Sequence, residues 1–156
     1  MGYLFILVPN VEMITATIFI AGLVLGPFHG AIVGLLAELI YSSSNAYGAA
    51  MPPLLLAQII SFALVGWVGG LVGRREIHPL SLRVFVFGVC GLLLTLFYDV
   101  LTTLSFALFN FGFDLKKIVS SFLVGVSFYA VHIFVNTIIF VVVVPVVQSA
   151  LHRYLK

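Results

Sequence analysis

The chain has 156 residues, enough for one domain, and only 8% of them are charged while 63% are hydrophobic. Soluble domains carry about 25% charged residues, so seven Lys and Arg and five Asp and Glu are too few to cover a water-exposed surface. The composition is that of an integral membrane protein. One cysteine, Cys90, lies in an apolar run and excludes a disulfide framework or a cysteine-rich metal site. A net charge of +2, with no basic run beyond Arg74-Arg75, argues against nucleic acid as a partner.

The charges are clustered. Residues 13–37, 39–73 and 118–152 carry none. A helix needs about 20 apolar residues to cross the hydrocarbon. Residues 1–8 are apolar but too short for a span, and they lack the basic start and cleavage site of a signal peptide. They read as the end of a helix that begins upstream, with Pro9-Asn10 as its exit. The first full span is expected over residues 11–26. Gly26-Pro27 ends it, and a second follows over 28–44. Ser42 to Asn45 through Pro52-Pro53 makes a long connection. Helices over 53–74, 81–109 and 116–150 complete a count of five membrane spans plus the remnant. The runs are too long for barrel strands and do not alternate as those would. The fold class is therefore an all-α membrane protein with a single transmembrane domain over 1–156.

Orientation follows from the basic residues. Arg74, Arg75, Arg83, Arg153 and Lys156 fall on one side; Lys116 and Lys117 fall on the other. This asymmetry places the 74–82 loop and the C-terminus in the cytoplasm and the loops at 9–11, 42–52 and 110–115 outside.

Ionisable residues within spans are costly and face protein or a cavity. Glu38 follows Gly30 and Gly34 at steps of four, so it shares their close-packing face. Gln58 leads through Phe62 to Gly66 and Gly70. Asp99 leads back through Thr95 to Gly91. Ser121, Gly125, Tyr129, His132 and Asn136 form one stripe of the last helix. Helix–helix hydrogen bonding explains Gln58, Ser121 or Asn136 as readily as a binding site does; for Glu38 and Asp99, two carboxylates make expensive packing glue. Glu12 opens the first span. At 1.5 Å per residue, Gln58 lies ~8 Å from the outer start of its helix, whereas His132 lies ~24 Å from residue 116. Asp99 is read near the outer end of its helix. The polar groups thus lean toward an outward pocket, with Tyr41, Tyr47, Tyr98 and Phe106 as aromatics that could stack a flat ligand. The same aromatics also suit an interfacial belt. The Ser42–Pro53 connection, longer than a turn requires, suits a lid.

Several short segments carry a resemblance. They are Val11-Glu12-Met13 through Gly26-Pro27, Gly30-Ala31-Ile32-Val33-Gly34 leading to Asn45-Ala46-Tyr47-Gly48, Pro52-Pro53-Leu54-Leu55-Leu56-Ala57-Gln58, and Gly66 to Gly73-Arg74. In order and spacing, over about residues 3–140, the chain resembles the substrate-binding S components of energy-coupling-factor (ECF) vitamin importers. The resemblance implies a six-helix fold in the cell membrane with both termini cytoplasmic. It implies a vitamin-like micronutrient bound from outside, and ATP-driven release by a membrane coupling subunit and two cytoplasmic ATPases. The pocket positions it implies are Asn45, Tyr47, Gln58, Tyr98, Asp99, Asn110 and Tyr129, to which the reading of the spans adds Glu38. The family's first helix, whose alanines four apart dock on the coupling subunit, has no counterpart in these residues. The expectation is a start codon placed too late.

Glu12, Glu38 and Asp99 bias the pocket toward a cationic or hydrogen-bond-donating ligand, unless they are paired, with His29 and His132 as the partners on offer. The alternative function is a small multi-span structural scaffold. An intramembrane enzyme is disfavoured, since no His-Glu-x-x-His, Gly-x-Ser-x-Gly or paired-Asp motif is present. His29, His78 and His152 sit at helix ends or in loops. No Walker A motif, cofactor signature or metal signature appears.

Overall fold

A computed structural model of the chain describes residues 13–43 and 50–154. Among these residues it is all-helical: α1 (Ile14–Leu25), α2 (Pro27–Ser43), α3 (Pro52–Gly73), α4 (Leu80–Phe111) and α5 (Leu115–Tyr154). The expected divisions hold for local reasons. Gly26 takes φ +86°, which a side chain would resist, and Pro27 restarts the helix at once. Pro52 and Pro53 open α3, where missing N–H groups cost nothing. Gly112, with φ +60°, ends α4 and donates its N–H to the Leu108 carbonyl. Asp114 then caps α5, its Oδ1 accepting from the amides of Lys116 (3.1 Å) and Lys117 (3.4 Å).

Glycine backbones set the packing of the first three helices. A Cβ at Gly30 would overlap the carbonyl of Gly66, one at Gly34 that of Phe62, and one at Gly70 the backbone of Pro27. These contacts make α2 antiparallel to α3. Gly69 meets Phe19 and Gly73 meets Leu23, so α1 runs parallel to α3. Gly22 and Gly30 touch across the bend at Gly26. The small-residue stripes are thus consumed inside the molecule. Close packing between helices explains them. α4 packs antiparallel on α5 and α3 on α4. Phe19, Phe87 and Phe140, all fully buried, tie α1 to α4 and α5, with ring centroids 5.9 Å and 4.9 Å from Phe19.

The five expected spans correspond to five helices, but three of them, α3, α4 and α5, are long and apolar enough to cross a bilayer. α1 has 12 residues and α2 has 17, or ~18 Å and ~26 Å of rise. The expected remnant over 1–8, Glu12, and the tip of the proposed lid over 44–49 lie outside the described residues. Large apolar side chains such as Phe85, Val124, Phe134 and Val146 face outward, each at least 66% exposed. Such an apolar periphery requires a non-aqueous cover.

The bundle has two chemically different ends. Gly26, the 74–79 loop and Arg153 mark one, here the arginine end. Residues 50–52 and Gly112 to Lys117 mark the other, the lysine end.

Candidate functional site

One layer of polar side chains crosses the bundle. On α4, Thr95, Asp99 and Thr103 follow at steps of four and share the face toward α5. On α5, Tyr129, His132 and Asn136 face back. His132 Nδ1 and Asp99 Oδ1 are 2.7 Å apart, both residues buried. One turn toward the lysine end, the hydroxyls of Thr103 and Tyr129 share a hydrogen bond. One turn toward the other end, Thr95 and Asn136 fall level, because Gly91 lies against Phe140 a turn further on.

The layer continues into α3. Gln58 Nε2 donates to the Tyr98 hydroxyl at 3.2 Å. The Tyr98 ring stacks on Phe62 (centroids 5.4 Å) and meets His132 edge-on (5.8 Å). The contacts of Gly30 with Gly66 and of Gly34 with Phe62 fix the register of α2 on α3, and that register sets Glu38 level with Gln58. Glu38 is 1% exposed and shares its face with Gly30, Gly34 and Ser42, as its spacing predicts.

The structure thus gathers Glu38, Gln58, Tyr98 and Asp99 at one level and places Tyr129 a turn away. It separates Asn110, which is exposed and donates to the Phe106 carbonyl of its own helix at 2.8 Å. Asn45 and Tyr47 lie outside the described residues. One expectation about Asp99 needs correction, and the partner left open for it is found. It is not near the end of its helix: α4 continues twelve residues past it, to Phe111. Its basic partner is His132, although counting along the two helices sets them at different depths. His29, the other partner on offer, is exposed and rests edge-on against Phe28.

Sequence reasoning found His132 and Asn136 on the α5 stripe but did not assign them to the site. Thr103 gave no signal beyond its four-residue step from Asp99. Much of this layer's hydrogen-bonding capacity is unmet: Asp99 Oδ2, Thr95 Oγ1, Gln58 Oε1 and both amide atoms of Asn136 are buried with no hydrogen-bond partner among the described residues. Buried polar atoms are nearly always paired with protein or ordered water, so such a cluster is suited to polar guests.

A cavity of about 530 Å³ opens beside this layer at the lysine end, between α3, α4 and α5. Thr103, Phe106, Phe111, Ser121, Phe128 and Tyr129 are among its walls, and Lys117 stands at its edge. Lys117 Nζ pairs with Asp114 at 3.6 Å and lies 5.7 Å from the Phe111 ring centroid. The walls are aromatic and apolar, with a few hydroxyls. Among the described residues, no group of three or more His, Cys, Asp or Glu is placed to hold a metal. Comparisons with known protein families, with curated proteins and with solved structures find no match to this chain.

Proposed function

We propose that the protein is the membrane-embedded substrate-capturing subunit of an ECF-type importer, binding a vitamin-like small molecule at the lysine end. In this reading a coupling subunit and two ATPases drive release on the other side. The observation that carries it is the cavity beside the polar layer. Its volume, about 530 Å³, lies within the range of small-molecule sites, which are mostly apolar with a few placed polar groups. Here Phe106, Phe111 and Phe128 supply flat apolar contact, Thr103 and Tyr129 the hydroxyls. Because Asp99 is already engaged by His132, the ligand is selected by hydrogen bonding and stacking rather than by a bare carboxylate. The basic asymmetry between the two ends supports an outward-facing cavity in the cell membrane and a cytoplasmic C-terminus.

The test is mass spectrometry of small molecules extracted from the purified protein. A heterocyclic micronutrient should co-purify with the chain and be depleted in a Thr103→Val, Tyr129→Phe variant. Co-expression with a coupling module should then give ATP-dependent uptake of that compound. Absence of any bound small molecule, with no thermal stabilisation across a vitamin panel, would refute the reading and favour a structural role.

A further inference from the structure

The arginine end contains a second cavity, of about 450 Å³, where α3 ends and α4 begins. Its walls include Arg74, Arg75, Glu76, His78, Arg83 and Gln148, over the buried ring of Phe87. Three guanidiniums therefore share this space with one carboxylate. None of these side chains makes a hydrogen bond or ion pair with another described residue. Arg83 Nε and Gln148 Oε1 are moreover buried with no hydrogen-bond partner among the described residues. A buried guanidinium N–H without an acceptor is costly unless something supplies one. The first turn of α4 follows Pro79, has no side-chain cap and holds no acidic residue. Its free amides add positive potential at the same end.

We propose that this cavity binds the phosphate of an anionic phospholipid headgroup. Planar guanidiniums match phosphate oxygens with paired hydrogen bonds, and basic pockets between spans are known headgroup sites. Height selects the lipid over a soluble anion: the cavity lies where the apolar runs of α3 and α4 stop, at headgroup level. The same end of α4 and α5 also carries an apolar cavity of about 470 Å³, walled by Leu80, Val84, Val142 and Val146, with Arg153 among its lining residues. That surface accommodates acyl chains. At the lysine end, by contrast, Lys117 is already paired with Asp114. The proposal does not depend on the transport reading.

The test uses the full chain in a neutral maltoside detergent. Native mass spectrometry counts retained phosphatidylglycerol against phosphatidylcholine of the same acyl chains, and thermal midpoints are read with each lipid and with sodium phosphate. Phosphatidylglycerol should be retained and should raise the midpoint; phosphatidylcholine and sodium phosphate should not. A basic residue at an anionic membrane surface is worth ~1 kcal/mol, roughly a five-fold change in affinity. Arg83→Gln should lower retention by about that factor. Arg74→Gln with Arg75→Gln, both at exposed positions where folding is insensitive, should lower it roughly 25-fold. Equal retention of the two lipids, or undiminished phosphatidylglycerol retention in the Arg74/Arg75 double variant, would overturn the proposal. A rise in midpoint with sodium phosphate equal to that with phosphatidylglycerol would overturn the lipid assignment in favour of soluble phosphate.

Discussion

Asp99 and His132, 33 residues apart, hold each other across the α4–α5 seam through a 2.7 Å contact between Oδ1 and Nδ1, with about nine-tenths of each side chain buried. Neither group suits an apolar bilayer alone. A carboxylate within a span costs several kcal/mol unless it finds a partner or water, and a buried imidazole needs its ring nitrogens engaged. Together they engage one ring nitrogen and one carboxylate oxygen, leaving Asp99 Oδ2 without a hydrogen-bond partner among the described residues, and the Tyr98 ring closes one side of the pair.

Removing one partner should therefore hurt more than removing both charges. His132→Ala leaves the Asp99 carboxylate buried without its partner, a change expected to cost ~3–5 kcal/mol. Adding Asp99→Asn to that variant should restore part of the loss, because a neutral amide is cheaper to bury than a carboxylate. Asp99→Asn alone should cost ~1.5–3 kcal/mol, the worth of a charge-assisted hydrogen bond. Thermal midpoints of the four proteins in detergent give the coupling. Purely additive losses would show that the pair does not act as a unit.

The helices and their faces were legible because their signals are local. Gly26-Pro27 and Pro52-Pro53 fix breaks through backbone geometry alone, and steps of four from Gly30 correctly set Glu38 on a packed face. The Asp99 partner was not legible in the same way. Helical spacing says which face a residue occupies, not which residue of another helix stands opposite. Depth counted from helix ends inherits every error in those ends. Asp99 stands 12 residues from the end of α4 and His132 17 from the start of α5, so counting from the helix ends separates them, whereas the antiparallel register brings them level. Of the five expected spans, the two on either side of Gly26 have 12 and 17 helical residues among the described ones, short of the ~20 that cross the hydrocarbon.

The two ends of the bundle should lie on opposite sides of the membrane, with the lysine end outside. In a Cys90→Ser background, Asn110→Cys sits at an exposed position near the end of α4, and Ile77→Cys sits in the loop of the arginine end. An impermeant thiol reagent added to intact cells should label the first and spare the second. The reverse pattern would invert the orientation and place the 530 Å³ cavity toward the cytoplasm.

Ligand capture should depend on Tyr129 and not on Asn110. The Tyr129 hydroxyl lines the cavity and is held by Thr103. Tyr129→Phe removes a hydrogen-bonding group worth ~0.5–1.5 kcal/mol, so ligand retention should fall roughly 2- to 10-fold. The Asn110 amide is spent on its own helix, and Asn110→Ala should leave retention unchanged. Isothermal titration of each variant with the co-purified compound measures both. A loss at Asn110 with none at Tyr129 would move the site toward the loop between α4 and α5.

Backbone contact, not side-chain packing, should dominate the stability of α1, α2 and α3. A Cβ at Gly66 would overlap the Gly30 carbonyl, and Cβ atoms at Gly22 and Gly30 would each overlap the Gly66 carbonyl. None of these groups can rotate away. Relief requires moving α2, which α1 holds through the Gly22–Gly30 contact. Gly88 provides the comparison. It also lies in a helix interior and is also buried, but an added Cβ there meets the Cγ2 of Val141 at 2.9 Å, the end of a side chain. Both substitutions to Ala gain the same ~0.5–1 kcal/mol of helix propensity, so that gain cancels between them. Overpacking costs ~1–3 kcal/mol and more where nothing can yield. Gly66→Ala should therefore lower the thermal midpoint markedly and yield aggregated protein on size exclusion, while Gly88→Ala stays near wild type. If the two variants were equally stable, α2 and α3 would have to sit further apart than the glycine contacts require.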